Sequence, residues 1–192
     1  QNLIRYPYGD TSCYLFNPDA IKDGSVQDVD LGNLFSTSTV ITGMFAFFDG
    51  AQRKVIFVTD SASTTEADIY VGRLESGQVY IDTALNVGPG VRDAVYMAPY
   101  VFVANTSVNS HLKVLKIDTD INSTSSVIQE IQSLKIDSLS QSLSMPRTLA
   151  MFDSQLVLGT EKNNAGGELF FLNVSTTTMY VDVPHREIEL GG

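Results

Sequence analysis

A chain of 192 residues with 43% hydrophobic and 18% charged residues has enough apolar surface for a folded core and too few charges for a disordered segment. Its net charge of −10, from 12 Lys and Arg against 22 Asp and Glu, leaves no cation cluster to neutralise phosphate or anionic lipid, so no nucleic acid partner is expected. No run approaches the roughly 18 apolar residues of a membrane helix, so no membrane insertion is expected either.

The chain opens on Gln1 with no basic leader before an apolar run, which leads us to expect a processed or excised polypeptide. Short β-branched and aromatic runs, bounded by Gly, Asn, Asp and Ser, then follow one another as predicted strands. The head gives three: NLIRYPYGD, TSCYLFN and SVQDVDLGNL. Next come ITGMFAFFDG, KVIFVTDS, ADIYVGRLES and GQVYIDTALNV. The third group is VRDAVYMAP, YVFVANTS, HLKVLKID and SSVIQEIQSL. The last is PRTLAMFDS, QLVLGTEK, GELFFLNV and TTMYVDVPHREI. Within Ser125–Ile136 the residues Val127, Ile128, Ile131 and Leu134 also fit helical spacing, but repeat alignment makes this segment an outer strand.

Four short strands in a constant order, recurring at a period of about 50 residues, predict an all-β protein built of β-propeller blades. The expected blades span 1–35, 40–88, 91–136 and 146–190 within a single domain. The first blade lacks its innermost strand, so the count is about three and three-quarter four-stranded blades, and a fragment of a larger propeller is expected over a closed four-bladed ring. PHREIEL aligns as the end of the last fourth strand. The alternative architecture is a β-sandwich.

On these units the chain resembles the broad class of β-propeller repeats related in architecture to WD40, kelch and YVTN proteins. It has no Trp, no Gly-Gly pair ending the second strands and no Tyr-Val-Thr-Asn string, so the resemblance is architectural. The phrase MPRTLAMFDSQLVLGTEKN is similar to blade segments of viral tail and surface propellers.

In such a blade the start of the first strand and the end of the second meet on the funnel face. Arg92 and Arg147 take the same place at the start of successive first strands, and the second strands end at Asp60, Thr106 and Glu161. An arginine beside an acidic side chain of a neighbouring blade would form a charge-assisted pair. These five residues are the candidate binding positions, either receiving a partner's charged group or holding blades in register.

Catalytic constellations are not legible. Asp118, Asp120 and Asn122 alternate like the first ligands of a calcium loop, but Ser123 stands where that loop needs Gly and Gln129 where it needs Glu, so a plain turn is expected. His111 and His185, the two histidines, fall on outer strands of different blades and are expected at the surface. Cys13, the single cysteine, reads as a small buried hydrophobe. Gly88-Pro89-Gly90 and Gly166-Gly167 read as turns. The sequons at Asn105, Asn122 and Asn173 are about as many as chance supplies in a Ser/Thr-rich chain and carry no reading of secretion. The aromatic strand residues, Phe45, Phe57 and Phe170 among them, read as packing. No cofactor or metal is expected. The expected function is a non-enzymatic binding or scaffold module, a structural component of a viral particle or cell surface, extracellular or particle-associated. Its partner is then a protein or the remainder of the propeller. The alternative is an extracellular carbohydrate-active enzyme or lectin with its ligand at the funnel.

Overall fold

The computed structural model describes residues 3–5, 12–16, 26–30, 34–35, 39–61, 64–75, 78–107, 109–119, 126–136, 145–161, 166–175, 177–182 and 186–190. They form four sheets, each a meander in which chain neighbours are sheet neighbours. The first holds β1 (Leu3–Arg5), β2 (Ser12–Phe16) and β3 (Val26–Asp30). The second holds β4 (Val40–Phe48), β5 (Arg53–Asp60), β6 (Ile69–Glu75) and β7 (Gln78–Leu85). The third holds β8 (Val91–Met97), β9 (Tyr100–Ser107), β10 (Ser110–Thr119) and β11 (Ser126–Leu134). The fourth holds β12 (Met145–Phe152), β13 (Gln155–Glu161), β14 (Gly167–Asn173) and β15 (Arg186–Leu190). The three-stranded head and the three four-stranded repeats of the sequence are thus present as sheets. Residues 126–134 are a strand, because the hairpin partner β10 gives that segment a ladder that an isolated helix would forgo. The tail pairs with β14, Arg186 opposite Phe171 and Ile188 opposite Leu169.

Two compact units divide the chain: Gln1–Asn86 with Asp118–Val127, and Val87–Ile117 with Ile128–Gly192. In the first, Phe35 sets its ring edge against Phe57 (5.4 Å) and Tyr70 (4.9 Å), over a cluster of Ile41, Val55 and Phe57. In the second, Phe102 and Ala104 of β9 and Leu112 and Val114 of β10 share one core with Leu149, Leu156, Leu158, Phe170 and Leu172. The third and fourth sheets therefore pack face to face through their middle strands. The second strands β5 and β9 are covered on both faces, which is why they read as apolar runs: residues 54–59 of β5 and 101–105 of β9 are all buried. Each Val, Ile or Phe so covered contributes about 1.5–3 kcal/mol. Outer strands such as β7 and β11 instead carry exposed and partly covered positions along their length.

One irregularity repeats. The ladder between first and second strands skips a residue between Ile41 and Gly43, between Val91 and Asp93, and between Pro146 and Thr148. Thr42, Arg92 and Arg147 are therefore bulge residues at the same position of three sheets. A bulge adds one residue to one strand and turns its side chain out of the pleat. Two further skips place Asp82 of β7 and His111 of β10 outside the regular ladder.

Candidate binding face

The bulge at the start of each first strand decides what that end of the sheet presents. In the second unit Arg92 and Arg147 are both exposed. The residue after each bulge is what joins their strands. Asp93 Oδ2 accepts hydrogen bonds from the Thr148 hydroxyl (2.8 Å) and the Leu149 amide (2.8 Å), and its Oδ1 accepts from the Ala94 amide (2.8 Å). An ionised acceptor bonded to backbone amides is among the stronger neutral-pH contacts available. Here it seats the bulge of β12 against that of β8, and so fixes the two arginine-bearing strands side by side.

Arg147 Nε pairs with Glu161 Oε2 of β13, in its own sheet rather than a neighbouring one. Both side chains are about half exposed (46% and 53%), so the pair adds little stability, about 0–1 kcal/mol. The partners remain accessible to an incoming group. Thr106 has a structural role: its amide and its hydroxyl both donate to the Gly90 carbonyl, at 2.9 and 3.3 Å. That carbonyl belongs to the turn Val87–Gly90, whose Gly88 and Gly90 have φ of 91° and 88°. Asp60, in the other unit, ends β5 opposite Val40 and is partly exposed. Thr42, the third bulge residue, donates to the Val58 carbonyl (3.2 Å) within that unit.

Asp118 is exposed at the end of β10, while Asp120 and Asn122 lie outside the described residues, as does His185. His111 is not at the surface: it is 4% exposed and its Nδ1 accepts the Ile136 amide at 3.0 Å. Burial, and secondarily the Lys135 ammonium, hold its pKa below the usual imidazole value. The bulge on β10 turns this ring towards the chain leaving β11, and that turn is not visible in an alignment of strands. Asn105 is fully buried, its amide donating to the Val87 and Gly88 carbonyls and its Oδ1 accepting from the Ser107 amide, so its sequon is inaccessible in the fold. Asn173 is exposed and accepts from Gln155 at 3.0 Å. Cys13 lies in β2.

Sequence reading missed two polar groups. Asp93 directly follows a nominated arginine, and aligning Thr42-Gly43, Arg92-Asp93 and Arg147-Thr148 would have drawn attention to the second column. The other is an ion pair in the first unit. Lys54 of β5 and Asp82 of β7, both with fully covered side chains, meet at 2.7 Å, and Arg73 binds the other Asp82 oxygen at 2.5 Å while stacking on Tyr80. The Asp82 carboxylate, before any other neighbour, holds the Arg73 pKa above its usual value. Among the described residues no three His, Cys, Asp or Glu side chains form a metal-binding group, and no helix is long and apolar enough to cross a membrane.

No family model matches the chain, and no curated protein matches it in sequence. Among solved structures it is similar to apo AztD from Citrobacter koseri, with a TM-score of 0.50 over 98% of this chain at 14% identity. The chain spans 45% of the length of that protein. At such identity the likeness is one of fold alone: antiparallel sheets in serial, all-β order.

Proposed function

We propose that the four sheets are blades of a β-propeller serving as a non-catalytic binding or scaffold module. In this reading the partner docks at the end where the first strands begin. The architecture draws support from the serial meanders and from the likeness to AztD, whose fold is propeller-like. The observation that carries the functional reading is the bulge repeated at one register in three sheets. It leaves Arg92 and Arg147 exposed on strands that Asp93 ties together. Two guanidiniums there, on a chain of net charge −10, favour a carboxylate-bearing surface of a protein partner, which Arg binds in planar, bidentate fashion. A particle or cell-surface component fits this acidic, Ser/Thr-rich composition.

The test is cross-linking followed by affinity capture, with Arg92→Glu/Arg147→Glu as the matched control. One stoichiometric protein partner captured by the native chain and lost from the variant supports the reading. Turnover in a hydrolase panel that vanishes on Asp60→Asn or Glu161→Gln would overturn it in favour of an enzyme. Saturable binding on a glycan array would overturn it in favour of a lectin.

A further inference from the structure

The chain has five methionines, and three of them converge. Met97, Met151 and Met179 line one cavity of about 180 Å3 in the second unit, together with Val174, Asp153 and Ser154. The three thioethers come from different segments: Met97 closes β8, Met151 is the penultimate residue of β12, and Met179 lies between β14 and β15. The cavity is at the opposite end of β8 and β12 from Arg92 and Arg147, so it is separate from the binding face above and does not depend on it.

Met179 is held there at a cost. It is 9% exposed and its φ is 58°, a left-handed conformation that disfavours a long side chain. The turn around it is fixed by three bonds: its amide donates to the Ser175 carbonyl (2.8 Å), the Ser175 amide to the Tyr180 carbonyl (2.9 Å) and the Thr178 amide to Ser175 Oγ (3.3 Å). Backbone strain of this kind persists where the surroundings over-determine it, often at ligand sites.

We propose that this cavity binds a soft monovalent metal ion, Cu(I), through the thioethers of Met97, Met151 and Met179. Neutral, polarisable thioether sulfur selects Cu(I) over harder cations such as zinc, calcium or magnesium. Each methionine has three rotatable bonds and a polarisable sulfur, so its thioether can reorient within the cavity. The Asp153 carboxylate, lining the same cavity, supplies a counter-charge for the single positive charge. No redox step is involved, because the ion enters and stays as Cu(I).

The experiment uses the full chain labelled with 13C at the methionine methyl groups, in a Cys13→Ser background so that the single thiol cannot compete. Cu(I) is added anaerobically, with Ag(I) as a redox-inert stand-in and Zn(II) as the hard control. Three of the five methyl resonances should move and saturate at one equivalent of Cu(I) or Ag(I), while Zn(II) moves none. Each of Met97→Leu, Met151→Leu and Met179→Leu conserves volume and should fold. Each should also weaken binding by about tenfold or more, the scale of disturbed metal ligation. The proposal is overturned if no methyl group responds at one equivalent, if all five respond alike, or if a folded triple Leu variant binds as the native chain does. Any of those results leaves the methionines as gap-fillers of the core.

Discussion

Asp93 and Thr148 stand 55 residues apart in the chain and share a 2.8 Å hydrogen bond, each immediately after the bulge residue of its strand. The bond places a repeated local irregularity in register between the third and fourth sheets. Asp93→Ala removes three acceptor contacts and leaves the part-buried Leu149 amide without its partner. The expected cost is about 1–3 kcal/mol, read as a lower denaturant midpoint for the second unit. Asp93→Asn keeps one acceptor oxygen and should lose less. Equal stability of the alanine variant and the native chain would show that the contact contributes nothing.

A buried ion pair behaves differently from a surface one. Lys54 is 1% exposed, and besides Asp82 at 2.7 Å its nearest carboxylate is Asp49 at 3.9 Å. Asp82→Ala should therefore destabilise the first unit by about 3–5 kcal/mol, because it strands a desolvated ammonium. Lys54→Met/Asp82→Leu removes the pair as a unit, leaving the covered Asp49 carboxylate to the Ala51 and Gln52 amides, and should cost clearly less than the single Asp82 change. Chemical denaturation of the three proteins decides it, and a double variant worse than the single one would refute the account.

His111 sets a pH dependence. Its folded-state pKa lies below the ordinary 6.5, chiefly through burial, so as pH falls the unfolded chain takes up the proton first. More protons bound in the unfolded state means that stability rises with pH, and here it is lost as pH drops below about 6.5. The protonated ring could no longer accept the Ile136 amide. Unfolding midpoints at pH 7.5 and 5.5 should differ more for the native chain than for His111→Gln. The same difference in both would remove His111 as the cause.

These residues show where the sequence speaks and where it stops. Strand order was legible because second strands such as KVIFV and YVFVA are apolar on both faces, and because turn residues separate them at a constant period. Placing the arginines at one end of the sheets needed only that alignment. The direction of a side chain at a bulge is another matter, since one extra residue reverses the alternation on which the reading depends. Asp82 and His111 both sit at such skips with buried side chains, and for His111 the outer-strand position had suggested exposure. Lys54 at the head of an apolar run looks like a strand boundary, and only the carboxylate two strands away makes its burial intelligible. The methionines at 97, 151 and 179 share no local pattern at all.

Gly90 offers the sharpest test of the turn leading into the binding face. Gly88 and Gly90 both have positive φ, 91° and 88°, so an added side chain strains the backbone at either, by about 1–3 kcal/mol. Their surroundings differ. A Cβ at Gly88 meets nothing within 4 Å, whereas one at Gly90 would overlap the Thr106 hydroxyl, which donates to the Gly90 carbonyl. Gly88→Ala should therefore lose only the backbone term, and Gly90→Ala should lose that term plus a steric one. Thr106→Ala removes the clashing oxygen, so in the Thr106→Ala background Gly90→Ala should become milder while Gly88→Ala stays unchanged. A double-mutant cycle from denaturant unfolding measures this coupling. Additive costs for Gly90 and Thr106 would mean that the turn relaxes around the new methyl group and that Thr106 does not anchor it.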